Sequence, residues 1–303
     1  MRLSAMPVEQ CRAMLVAPGL VLGIGPFTAR IRTPIRALAE DVRAIYGAHE
    51  VLRDATAVDF DVAVRPSRGL RGYWRPQARF FSDGQEPFHP LPLDQAAPFL
   101  EWGLNWCIAA HAHDLLVLHA AVLARGGRAL LMPAPSGSGK STLAAALAHA
   151  GWRLYSDELA LIDPSSGRVF ALDRAANLKN AAIDLVRRRF PKTPLRGIAR
   201  NTSKGTVALM CPPLEPGAVA DASEAVPAWV ILPRWIEGAA TDLLPIGRAQ
   251  AFLQLADNAM NYSIHGRRGF EALCRTVADA ACFTLIYGDI DEAMAAIARR
   301  TGC

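Results

Sequence analysis

The segment from Ala129 to Ala150 constrains this chain most. Four apolar residues lead into a loop of glycines and small polar residues, and an alanine-rich run follows. Ala129-Leu130-Leu131-Met132 reads as a buried strand and Lys140 to Ala150 as a helix, stopped by Gly151. Between them lies Ala134-Pro135-Ser136-Gly137-Ser138-Gly139-Lys140-Ser141-Thr142. Glycines lack the Cβ that would block convergence of backbone N–H groups, and the helix that follows adds the positive end of its dipole. Strand, loop and helix in this order are the setting in which such a loop cradles phosphate groups. In that setting Lys140 reaches the outer phosphates of ATP and the Ser141 hydroxyl ligates Mg²⁺. Ala134 stands where the usual pattern has its first glycine.

Two further residues carry chemistry. Asp157 ends the strand Trp152-Arg153-Leu154-Tyr155-Ser156 and is followed by Glu158. A carboxylate at such a strand end faces the phosphate loop in doubly wound sheets, where it holds Mg²⁺ or takes a proton from an attacking hydroxyl. Ser141, Asp157 and Glu158 are thus the candidate metal ligands. His119 lies in the apolar strand Leu115 to Leu123, one short turn before the loop strand. A histidine in such a run suits a satisfied core position, but this neighbourhood also brings imidazole beside the phosphates. Lys179, Asn180 and Lys204 follow the acidic pair, in a chain with only four lysines, and read as phosphate or acceptor contacts or as solvated surface. Arg267-Arg268 read as nucleotide or acceptor contacts or as a charged helix end, and Arg187-Arg188-Arg189 as a solvated helix face.

Organisation follows from patterning. The chain has 303 residues, 51% of them hydrophobic and 20% charged, enough apolar material for a sizeable core and for one large domain or two ordinary ones. Residues 1–112 read as a strand-rich α+β module, with period-two alternation over Ala57–Val64, further strands at Tyr73 and Arg79–Phe81, and a helix from Asp94 to about His113. Residues 113–303 alternate strands and helices, with strands at Ala160–Ile162, Trp229–Leu232 and Cys282–Tyr287 and helices at Arg248–Asn261 and Ile290–Arg300. The stretch Leu115–Ala124, broken by His119, is too short to span a bilayer, and Glu9 and Arg12 interrupt the N-terminal apolar residues, which read as mature protein. The formal net charge of +5 comes from arginine, and no zinc-finger, RNP or basic-zipper pattern points to nucleic acid. Six cysteines, none in a CxxC pair, fit a reducing, cytoplasmic compartment without a structural metal cluster.

Taken together, Leu118-His119-Ala120, Pro135 to Thr142 and Gly151-Trp152-Arg153-Leu154-Tyr155-Ser156-Asp157-Glu158 resemble the catalytic domain of HPr kinase/phosphorylase, and in particular the HPr-kinase-related kinases of type A. Pro245-Ile246-Gly247-Arg248 and Ala256 to Tyr262 agree with it, and the resemblance covers about residues 115 to 295. It implies a P-loop kinase domain akin to phosphoenolpyruvate carboxykinase that uses ATP and Mg²⁺ to phosphorylate a hydroxyl, a serine of a small protein or peptide, or a small molecule. It implies that Asp157 activates the acceptor, that His119 assists at the phosphates and that Arg248 lies near the transferred phosphoryl group. The family's Glu-Ile-Arg-Gly-Leu-Gly signature is replaced here by Arg174-Ala-Ala-Asn177-Leu-Lys179-Asn180, so its metal-binding glutamate is missing. That departure speaks against HPr as acceptor and against the reverse, phosphorolytic reaction, and it keeps open an ATP-binding regulatory or chaperone-like module. No membrane and no nucleic-acid partner is expected; self-association is left open.

Overall fold

The structure is a computed structural model that describes residues 1–303 apart from 54, 68, 70–73, 212 and 214–222. Along the chain come α1 (Val8–Val16), β1 (Leu20–Ile24), β2 (Phe27–Arg32), α2 (Arg36–Ile45), β3 (Phe60–Pro66), β4 (Gln77–Ser82), β5 (Leu91–Pro92) and α3 (Ala96–His111). Next are β6 (Leu116–Arg125), β7 (Arg128–Pro133), α4 (Lys140–His149), β8 (Arg153–Ser156), β9 (Leu159–Ile162) and β10 (Val169–Phe170). A middle stretch holds β11 (Ala176–Lys179), α5 (Ala181–Arg189), β12 (Leu195–Thr202) and β13 (Gly205–Met210). The last elements are β14 (Glu224–Trp235), β15 (Asp242–Pro245), α6 (Arg248–Asp257), α7 (Tyr262–His265), α8 (Arg267–Asp279), β16 (Ala281–Tyr287) and α9 (Ile290–Thr301). The architecture is mixed α/β with a strand-rich N-terminal region.

Two compact units account for the contacts: Met1–Ile108 with Asn177–Cys211, and Ala109–Ala176 with Pro212–Cys303. A division at residue 112 assigns residues 177–211 to the later segment, whereas their contacts lie with the earlier one.

In the first unit β1 to β5 form a sheet in sequence order, with β2 and β3 parallel and the other pairs antiparallel. The strand expected from Ala57 starts only at Phe60, because the Asp59 carboxylate is occupied in accepting Thr28 N (2.7 Å) and Thr28 Oγ1 (2.8 Å) at the strand's entry. The strand expected at Tyr73 lies outside the described residues. In α3, Phe99, Leu100, Leu104 and Ile108 are all buried, as their helical spacing predicts. β11, β13 and β12 form a second, three-stranded sheet.

The second unit is built on a sheet of order β10-β9-β6-β7-β14-β16-β15, with β8 beside β6. β10 also pairs with β14, so β10, β9, β6, β7 and β14 close into a ring. β7, β14 and β16 are mutually parallel, and β6 runs against both β7 and β9. Leu118, Ala120, Val122 and Ala124 of β6 join a core with Ala251 and Leu255 of α6 and Ala272, Leu273 and Val277 of α8. Side chains alternate along a strand, so His119, Ala121 and Leu123 occupy the opposite face. α4 packs against β6 with Leu143 to Ala148 all buried. The helix expected to run from Arg248 to Asn261 ends at Asp257. Beyond it the chain extends along β6, with His119 N donating to Asn258 O (2.7 Å) and Met260 N to Val117 O (2.8 Å).

Candidate functional site

Strand β6 changes neighbours at His119. Ala120 is opposite Pro133, the last residue of β7, but Leu118 is bridged to Ala259 instead. β7 therefore parts from β6 at this point and continues as the glycine loop, while residues 258–261 take its place. Asn261 secures the exchange: it is 2% exposed, accepts Val117 N (2.9 Å) and donates to Leu115 O (2.8 Å), acting as a side-chain substitute for a strand backbone.

The loop's conformation depends on its glycines. Gly137 and Gly139 have φ of +89° and +85°, in the left-handed region. Ser138 O accepts Trp235 N (2.9 Å) from the end of β14. Gly139 O accepts both Leu143 N (3.0 Å) and the Tyr287 hydroxyl (3.1 Å) from the end of β16. A Cβ on Gly139 would overlap the Tyr287 hydroxyl and stand 2.8 Å from Trp235 Cβ, so only glycine fits. The loop carbonyls are thus turned into the protein. Among the described residues, the amides of Ser136, Gly137 and Gly139 have no backbone acceptor, and the buried Ser138 hydroxyl oxygen has no hydrogen-bond partner. Backbone donors without a backbone acceptor in a glycine loop suit phosphate oxygens. Ala134 is buried, Pro135 and Ser136 are exposed, and Ser141 and Thr142 are half-buried in the first turn of α4.

Lys140 opens α4 and is only 6% exposed. Its Nζ lies 3.0 Å from His119 Nε2. An ammonium has no lone pair and donates, so Nε2 accepts, which assigns the neutral ring's proton to Nδ1. His119 thereby occupies the α4 face of the sheet, at the loop, and not the core beneath α6 and α8.

Asp157 is 3% exposed. The pairing register is the same before and after it, with Ser156 opposite Val122 and Leu159 opposite His119. Asp157 itself lies at the bend between β8 and β9, in the gap between those two pairings. Ser156 Oγ accepts Glu158 N (3.2 Å) and Leu159 N (3.0 Å), which bends the chain at this pair. Glu158, which follows Asp157 in this bend, is half-buried.

The other expected residues stand as follows. Pro245 of β15 pairs with Phe283 of β16, and Ile246 N donates to Cys282 O, far down β16 from Tyr287 at the loop. Arg248 follows at the start of α6 and is exposed; its charge acts on the Cys282 thiol, whose pKa burial raises in spite of it. α6 then needs about 15 Å to return to Asn258 beside His119. Arg248 thus starts α6 two residues after Ile246, which bonds Cys282 of β16, whereas Tyr287 of the same strand meets the loop. Arg267 is exposed at the start of α8, its Nε 2.7 Å from Glu271 Oε1. Lys179, Asn180 and Lys204 belong to the first unit. There Asn180 accepts Thr206 N (3.0 Å) and donates to Lys204 O (3.3 Å), while Lys204 Nζ lies 5.5 Å from the centre of the Trp102 ring.

Sequence reasoning missed Asn261, Trp235 and Tyr287. Asn261 sits in a polar stretch whose departure from the helix is marked only by Asn258. Tyr287 is one more aromatic at a strand end, with no local signal. Among the described residues, no group of three or more His, Cys, Asp or Glu could hold a metal ion. No helix among them is long and apolar enough to cross a membrane. A cavity of about 670 Å³ lies in the first unit, lined by Gln77, Arg79, Glu86, Phe88 and His89, and none of the expected site residues lines it. No family model matches the chain, and no curated protein matches it.

Proposed function

We propose that the second unit is an ATP-dependent phosphotransferase of the HPr kinase and phosphoenolpyruvate carboxykinase type, acting on an acceptor hydroxyl, a serine of a small protein or peptide. The observation that carries the reading is the buried Lys140 ammonium held 3.0 Å from His119 Nε2, directly beside a left-handed glycine loop with unmet amides. Bound Mg²⁺-ATP supplies the transferable phosphoryl group and a charge-neutralising cation. Lys140, the loop amides and the Ser138 hydroxyl hold phosphate oxygens, each charge-assisted contact contributing about 1.5–3 kcal/mol. The Ser141 hydroxyl is available to the metal. Asp157, buried two residues before Leu159, the strand partner of His119, accepts the proton of the acceptor hydroxyl or shares the metal. Neutral His119 keeps Lys140 oriented through Nε2.

Incubation with γ-labelled ATP and serine-containing peptides tests it. Lys140→Ala should weaken nucleotide binding, and Asp157→Asn should retain binding while losing about 10²–10⁴-fold in transfer. A folded Asp157→Asn protein that transfers at the wild-type rate would defeat the assignment. Loss of the family's metal-binding glutamate favours a second reading, an ATP-binding module that phosphorylates no acceptor; nucleotide binding without label transfer to any hydroxyl substrate would select it.

A further inference from the structure

Resting on the nucleotide reading above, we infer that Tyr287 is a positioning residue for the phosphate loop: its hydroxyl sets the direction of a loop amide and so tunes phosphate affinity without touching the ligand. The argument starts from the planar trans peptide, in which C=O and the following N–H point in opposite directions. Ser138 O is held inward by Trp235 N, so the Gly139 N–H faces outward. Gly139 O is held inward by Leu143 N and by the Tyr287 hydroxyl, so the Lys140 N–H faces outward as well. A left-handed residue followed by a helical one makes consecutive amides converge, and Gly139 at φ +85° before α4 is such a pair.

Tyr287 and Trp235 are opposite one another in the parallel pairing of β16 with β14. Two neighbouring strands therefore clamp two successive loop carbonyls at one level. Tyr287 is 2% exposed, and burial raises its pKa above the ordinary phenol value. The phenol remains a protonated donor across the working pH range.

Titration calorimetry with inorganic pyrophosphate and with Mg²⁺-ADP tests this on the full chain. Tyr287→Phe, which keeps the ring and removes only the donor, should bind both about three- to tenfold more weakly. A merely structural role would lower the melting temperature and leave those affinities alone. In amide NMR spectra of the wild-type protein, pyrophosphate should shift the Gly139 and Lys140 resonances downfield, a result that stands even if Tyr287→Phe fails to fold. Equal affinities in a folded Tyr287→Phe protein, or pyrophosphate binding that leaves those two amides unmoved, would overturn the inference and spare the nucleotide reading. A wild-type protein that binds neither probe would remove both.

Discussion

At Gly139 three requirements coincide: a left-handed backbone, a carbonyl directed at Tyr287, and no room for a side chain. Gly139→Ala should cost about 1–2 kcal/mol for the left-handed conformation and about 1–3 kcal/mol for the overlap. Because the first atom met is the Tyr287 hydroxyl, the two positions are energetically coupled. Denaturant unfolding of the single and double variants measures that coupling. Gly139→Ala combined with Tyr287→Phe should lose less stability than the two single losses summed; additive losses would show that the hydroxyl does not shape the loop. The glycines, Lys140 and Ser141 stood out in the sequence because they fall within one short motif. Tyr287 did not, because its partner lies 148 residues away and no local pattern encodes a contact across two strands.

Helix α3 shows what periodicity encodes and what it omits. The spacing of Phe99, Leu100, Leu104 and Ile108 marks the buried face, yet it gives no reason for Gly103 in the helix interior. The reason comes from β4: a Cβ at Gly103 would overlap the ring of Phe80, which packs among Phe88 and Phe99. Gly103→Ala is a substitution that gains about 1 kcal/mol at an exposed helical site. Here it should destabilise by about 1–3 kcal/mol through overpacking. The midpoint of chemical unfolding decides the sign, and a rise would mean that Phe80 rotates away at no cost. The same limit explains Arg248–Asn261, where helical spacing continues past Asp257 but Asn258 and Asn261 satisfy the strand edge left when β7 departs. Local propensity cannot register that edge, because the demand for partners arises in β6.

For the molecule as a whole, the path of the chain governs how it can be divided. Composition changes near residue 112, and no shift in composition marks residues 177–211 as part of the earlier unit. That membership rests on long-range packing. Ala199, Val207, Leu209 and Met210 are fully buried, and a Cβ on Gly197 would stand 2.7 Å from Ala97 Cβ. Asp41 carries the same information: burial raises its pKa even though the Arg196 charge and a hydrogen bond from Gly197 N oppose the rise. Burial likewise pushes the Cys211 thiol up to about 11, with its Sγ 3.6 Å from Ala44 O. The chain therefore leaves the first unit after Ile108, returns at Asn177 and leaves again after Cys211. A fragment of residues 1–112 lacks β12 and β13 and exposes the surface of α2 and α3 that they cover. It should show no cooperative thermal transition by circular dichroism. The same fragment joined through a Gly/Ser linker to residues 175–211 should regain one, since closing a longer flexible loop adds only about 0.6 kcal/mol per doubling of its length. A sharp melt of residues 1–112 alone would show instead that the middle stretch only decorates a module already complete.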